Sequence, residues 1–269
     1  MSRFLPPRLL TAAVLVAAIV VASASPLSLT LAMIGLVLLL CWREWLRMAG
    51  LAGTLARSVG IVLFAGALAV PVAMPPPSAV SYAVMALGVA WWALAIVLLR
   101  GSFSSMGNSI ALAYGLLGMA PAWLAVLAIF GSGRGDLLIL LLVLVGAADT
   151  GAFVFGKLLG RRPLAPVLSG GKTVEGAAGG LAVATLAGFA ASFYLQQSAL
   201  FWTLGGLAVG GLSMLGDLTV SMFKRRAGLK DSGSMLPGHG GMLDRMDSSI
   251  AAAPLLGLLV FQPVGWLPL

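Results

Sequence analysis

The chain has little of what usually marks a soluble enzyme. Only 9% of its 269 residues are charged, eight are acidic, one is a histidine and one, Cys41, is a cysteine. A single cysteine excludes an intrachain disulfide, and Cys41 reads as apolar filler. With 60% of residues apolar and a mean hydropathy of +1.07, little sequence is left for a separate soluble domain. The shortage of acid leaves a formal charge of +8. Such a balance can signal nucleic acid, but basic residues of membrane proteins collect in cytoplasmic loops, and that reading makes nucleic acid no partner here. No internal repeat is present.

What is there is a series of apolar runs. Nine segments, roughly 8–24, 27–46, 58–74, 79–99, 109–130, 136–156, 173–195, 200–222 and 249–267, are each near the ~20 residues a bilayer needs. The first, with Arg3, Arg8 and a trailing Ala22-Ser23-Ala24, also has the form of a cleaved leader. The expected fold is an all-α polytopic membrane protein of about nine transmembrane helices with a cytoplasmic N-terminus. That orientation puts every Lys and Arg except Arg134 on the cytoplasmic side. It predicts an N-terminal half, residues 1–130 (spans one to five), and a catalytic half, residues 131–269 (spans six to nine), with cytoplasmic loops 157–172 and 223–248. Pro75-Pro76-Pro77 reads as an external turn. Arg43, Glu44, Arg47 and Arg57 read as interfacial anchors, or as a contact to an anionic lipid head. The tryptophans, near predicted span ends, read as an interfacial belt. The 35 glycines suit close helix packing and allow a homodimer without demonstrating one.

Charge is concentrated in one stretch. Gly216–Ser248 holds Asp217, Asp231, Asp244 and Asp247, the cations Lys224, Arg225, Arg226, Lys230 and Arg245, and His239. Beside a bilayer such a concentration is a functional-site hypothesis. Helix should continue to Arg226, so that Asp217, Ser221, Lys224 and Arg225 share a face. Gly228, Gly233, Gly238, Gly240, Gly241 and Pro237 make the following segment a loop, with helix resuming near Met242. Asp244, Asp247 and Ser248 then share a second face. Carboxylates from two helices suit Mg²⁺, which takes one or two of them and leaves its other positions to phosphate and water. The neighbouring cations suit phosphate. Arg226 reads as a surface or lipid-head charge.

The order Ser221, Lys224, Arg225, Lys230, Asp231, Gly233, Leu236, Pro237, Gly238, His239, Gly240, Gly241, Leu243, Asp244, Arg245, Asp247, Ser248 resembles the signature of the phosphatidate cytidylyltransferases. The resemblance implies an integral membrane enzyme that joins CTP to phosphatidate and releases pyrophosphate. Ala147–Ala152, with Asp149 about eight residues, or ~12 Å, inside the predicted sixth span, resembles the same family. An intramembrane Asp must face a bundle interior or a wet cavity, as a structural carboxylate or as a ligand.

A P-loop is absent: Ser169-Gly170-Gly171-Lys172-Thr173 has Pro166 where that motif needs glycine, and no strand is expected before it. A glycine-rich turn with Lys172 at a helix start still suits phosphate. The family usually has Ser-Pro-Lys-Lys-Thr-Trp-Glu-Gly here; this chain keeps Lys172, Thr173, Glu175 and Gly176 but has Gly170, Gly171 and Val174 in place of the Pro, the first Lys and the Trp.

The expected site follows from these residues. Asp217, Asp244 and Asp149 are the metal candidates, for Mg²⁺ with room for a second cation. Asp217, Asp244, Lys224, Arg225, Asp231 and His239 are the catalytic candidates. Lys172, Thr173, Glu175, Ser221, Lys230, Gly238, Gly240, Gly241, Arg245 and Asp149 are the substrate contacts. CTP, phosphatidate and membrane lipids are the expected partners, with the site on the cytoplasmic side of a bacterial inner membrane. A transporter or channel, or a same-fold nucleotidyltransferase acting on another lipid phosphate, is the alternative. A CDP-alcohol phosphotransferase is set aside because its D-x2-D-G-x2-A-R pattern is absent.

Overall fold

The computed structural model describes residues 25–51, 53–73, 79–100, 107–236 and 240–261. The predicted first span, the triple proline and the end of the ninth span lie outside them. The elements run α1 (Leu27–Met48), α2 (Thr54–Ala73), α3 (Ala79–Arg100), α4 (Asn108–Gly131), α5 (Asp136–Leu159), β1 (Pro163–Ala165), β2 (Ser169–Thr173), α6 (Val174–Leu195), α7 (Ala199–Arg226) and α8 (Leu243–Val260). Among the described residues, six helices (α1 and α3 to α7) are long and apolar enough to cross a membrane. The protein is therefore predominantly helical, as an integral membrane protein would be.

The expected all-helical pattern has one exception. The 157–172 loop contains an antiparallel hairpin in which Pro163 faces Thr173 and Ala165 faces Ser169. Thr173 ends β2 and caps α6: its hydroxyl accepts a 3.1 Å bond from the Gly176 N–H. The strand is three to five residues of small and polar side chains, too short for alternation to signal it.

Helices α5, α6, α7 and α8 pack in sequence, while α8 also packs on α3, α4 and α1. Small residues set the spacing. A side chain at Gly206 of α7 would lie 2.8 Å from the Gly188 Cα of α6, so the two backbones are in direct contact. Gly146 of α5 has nothing within 4 Å of the same position. Gly206→Ala is therefore expected to lower stability by about 1–3 kcal/mol, the range for overpacking. Gly146→Ala should be neutral or slightly stabilising, about 0.4–1 kcal/mol. Thermal unfolding of the two variants in detergent checks the contrast.

The tryptophans differ from the expected belt. Trp42, Trp45, Trp92, Trp123 and Trp202 are 1–5% exposed and belong to the core. Three bind backbone carbonyls of other helices: Trp45 to Ala111 at 2.8 Å, Trp123 to Leu68 at 2.7 Å and Trp42 to Gly60 at 2.9 Å. A position near a span end says how deep a residue sits, not which way its helix face turns. The indole N–H here satisfies a carbonyl instead of reaching water.

Candidate active site

Four elements bring the charged residues together. Asp149 comes from the middle of α5, Asp217 and Lys224 from α7, Lys172 from β2, and Asp244, Arg245, Asp247 and Ser248 from the first turns of α8. A polar cavity of about 300 Å³ is lined by Asp149, Asp217, Asp231, Asp244 and Asp247 together with Lys224, Arg245 and Ser248. A second cavity of about 260 Å³ shares Asp149 and Asp217. Its other walls are Lys172, Thr173 and the apolar side chains of Phe153, Leu164, Met214 and Leu218. Phe153 is 68% exposed on the outer face of α5.

The carboxylates are held by cations. Lys172 is paired with Asp217, and the Ser221 hydroxyl donates to the other Asp217 oxygen at 3.4 Å. Lys224 donates to Asp244 at 2.7 Å. The second oxygen of Asp244 accepts the N–H groups of Ser232 and Gly241, each at 2.9 Å. Burial pushes the Asp244 carboxyl up, but the Lys224 ammonium and these two N–H groups outweigh it and hold the carboxyl below the usual carboxylate range. Gly240, with φ +81°, makes the bend that aims the Gly241 N–H; a side chain there would also meet Asp244 at 2.7 Å.

Five carboxylates against Lys172, Lys224 and Arg245 leave two formal negative charges if all are ionised. Among the described residues no three of them converge closely enough to form a finished metal cage. Hard oxygen donors that outnumber the facing cations fit a divalent cation that completes its shell with phosphate and water.

Several expected contacts are placed elsewhere. Glu175 lies outside both cavity linings; its carboxylate accepts the Arg161 and Arg162 N–H groups at 3.0 and 3.1 Å and the Arg162 guanidinium at 2.9 Å. It braces the start of the hairpin. Arg225 turns from the helix face it was expected to share and donates to the Leu168 and Leu229 carbonyls at 3.3 Å. Lys230 is exposed and lines neither cavity. Arg226, read as a surface charge, donates to Met48 O at 3.3 Å and to Asn108 at 2.7 Å, tying α7 to the ends of α1 and α4. Gly238 and His239 lie outside the described residues.

Two acidic residues gain importance. Asp247, considered only as a companion of Asp244, is buried in the cavity wall; its spacing three residues after Asp244 was the available signal. Glu44, read as an interfacial anchor, is 7% exposed. Its carboxylate accepts the Ser232 hydroxyl at 2.6 Å and the Met242 and Leu243 N–H groups at 3.0 and 2.9 Å. Nothing local in the sequence links residues almost two hundred positions apart.

Comparison with known proteins adds an independent finding. The profile of a family described as the cytidylyltransferase family matches residues 6–262. A protein of Pseudomonas aeruginosa named phosphatidate cytidylyltransferase is 40% identical over 243 residues, covering 87% of this chain and 88% of that protein. Proteins of the same name align over 122 residues in Staphylococcus aureus (44% identical; 45% of this chain, 47% of that protein) and in Synechocystis (48% identical; 44% of this chain, 41% of that protein).

Proposed function

The chain belongs to the cytidylyltransferase family, and from this premise we propose that it transfers the cytidylyl group of CTP to phosphatidate, giving CDP-diacylglycerol and pyrophosphate. The observation that supports this best is the sharing of Asp149 and Asp217 by an apolar-walled cavity and a polar one. A substrate that is half lipid needs the first, and a triphosphate needs the second. Phe153, exposed on the outer face of α5, marks the side from which acyl chains reach Lys172 and Asp217. The name of the Pseudomonas aeruginosa relative, phosphatidate cytidylyltransferase, gives the same acceptor and the same transferred group.

An anionic oxygen of the phosphatidate phosphate attacks the α-phosphorus of CTP. A phosphorus–oxygen bond forms there, the bond to the β-phosphate oxygen breaks, and pyrophosphate leaves with the electron pair. The attacking oxygen is already ionised, so no protein nucleophile is required. The chain has to bring two anions together, which costs Coulomb energy. Lys172, Lys224 and Arg245, in the walls of the two cavities, offset that repulsion. A divalent cation, Mg²⁺ with room for a second ion, would be held by Asp217 and Asp244 with Asp149 beside them. When bound, it would neutralise charge on the triphosphate. Asp231 and Asp247 complete the acidic lining around it, Gly240 and Gly241 let the backbone approach the ligand, and His239 with Gly238 belongs to the same loop.

In this reading residues 131–269 are the catalytic region, and the site opens to the cytoplasm of a bacterial inner membrane, where nucleotide triphosphates are found. The test is incorporation of radiolabelled CTP into lipid by purified protein given phosphatidate, with and without a chelator. The expected result is CDP-diacylglycerol formation that the chelator abolishes. Ion movement without consumption of CTP would overturn the reading, as would incorporation only with a different lipid phosphate.

A further inference from the structure

A third cavity, of about 430 Å³, lies across the loop from the acidic one and has the opposite charge. It is lined by Arg43 and Arg47 of α1, Arg57 of α2, and Ser232, Gly233 and Ser234 of the loop, with Glu44 in its wall. Arg43 and Arg47 are four residues apart, one above the other on a helix face. Arg57 reaches the same space because the break between α1 and α2 is short. Neither Arg43 nor Arg47 is in an ion pair among the described residues. The one carboxylate present, Glu44, is turned to Ser232, Met242 and Leu243. Three guanidinium groups against one carboxylate leave two formal positive charges in a space large enough for a phosphate ester.

The place of the cavity decides the kind of anion. Arg43 and Arg47 lie in the last turns of α1, a 22-residue apolar helix long enough to span a bilayer. The end of such a helix sits at the depth of lipid phosphates, and guanidinium forks match phosphate oxygens in pairs. We propose that this cavity binds the phosphate of an anionic membrane lipid that does not react. The segment from Asp231 to Ser234 divides the two cavities: Asp231 lines the acidic one, and Ser232 to Ser234 line this one. Ser232 links them, since its N–H donates to Asp244 at 2.9 Å and its hydroxyl donates to Glu44 at 2.6 Å. A lipid held by the arginines therefore bears on the segment that positions Asp244.

The inference rests on the arginine cavity and not on the cytidylyltransferase reading, so its test uses binding alone. Phosphatidylglycerol serves as probe, because it has a phosphodiester and no terminal phosphate to attack CTP. The full chain in a neutral detergent is loaded with phosphatidylglycerol or with diacylglycerol, and retained lipid is counted by native mass spectrometry. R43Q/R47Q/R57Q is expected to retain phosphatidylglycerol at least about tenfold less well than the parent chain, with diacylglycerol unchanged, since it removes three charge-assisted donors. The single variants Arg43→Gln and Arg47→Gln, both at exposed positions, keep the test decisive if the triple variant fails to fold; each is expected to weaken retention about threefold. Equal retention by parent and variants would overturn the proposal. So would displacement of the lipid by millimolar inorganic phosphate, which would mark a site for a soluble anion.

Discussion

Asp244→Asn is expected to lower CTP incorporation at least about a hundredfold, on the scale seen when one preorganised electrostatic contact is lost. The substitution changes shape little and charge by one unit. It removes the anion that faces Lys224 at 2.7 Å, in a pair whose side chains are only 12% and 6% exposed. Removing one partner of such a buried pair costs about 3–5 kcal/mol, so a loss of folding could imitate a loss of function. The double variant Lys224→Met/Asp244→Asn separates the two. If the low turnover of Asp244→Asn came from lost folding, removing both would restore stability and bring turnover up to that of Lys224→Met alone. If the carboxylate is needed for the triphosphate and its cation, stability returns and turnover stays well below that of Lys224→Met. Thermal unfolding and lipid-product formation, measured on the same preparations, give the two readouts. Near-normal turnover in Asp244→Asn would leave the proposed site without its central ligand.

The same pairing explains how the site keeps its charges in place before any substrate arrives. Lys172 and Lys224 are bound to Asp217 and Asp244, and they stand beside the space proposed for the phosphates. Asp217 and Asp244 would hold a divalent cation, and Lys172 and Lys224 would then face the phosphates. The Lys172–Asp217 pair is about one-third exposed and contributes little to stability on its own. The Lys224–Asp244 pair is the more buried, and it also receives two backbone N–H groups, so it is the fixed point of the arrangement.

The sequence carried the parts of this site that depend on nearby residues. Helical spacing placed Asp217, Ser221 and Lys224 together, and glycine content marked the loop that returns to Asp244. It did not carry orientation within a crowded helix end. Arg225 lies on the expected face, yet its long side chain swings to the carbonyls of Leu168 and Leu229. Arg226, one position further, becomes a tie between helices because Asn108 and the Met48 carbonyl stand within reach. Five of the tryptophans were misjudged for a related reason: an apolar helix in a membrane protein has no polar face to show which side turns inward. The predicted span boundaries match α1 and α3 to α7 closely, because length and hydropathy alone set them.

Glu44 is the residue whose importance only the fold could show, and its replacement should have the second-largest effect. Glu44→Ala removes the acceptor from the Ser232 hydroxyl and from the Met242 and Leu243 N–H groups at once. Each buried donor left without a partner costs about 1–3 kcal/mol. The structure can recover that only by letting the loop move. Gly233 and Gly241 pack so closely on the Glu44 carboxylate that a side chain at either would collide with it, so the loop is built around this one group. The Gly241 and Ser232 N–H groups that hold Asp244 belong to the same turn. Losing Glu44 should therefore displace Asp244 without touching it, and lower CTP incorporation at least about a hundredfold. Hydrogen exchange at the Met242 and Leu243 amides should rise, while exchange in α5 and α6 stays as it was. Glu44→Gln keeps an oxygen that can accept from part of this set, and it should retain more activity and protection than Glu44→Ala. Unchanged exchange and turnover in Glu44→Ala would show that the loop holds its shape without the carboxylate.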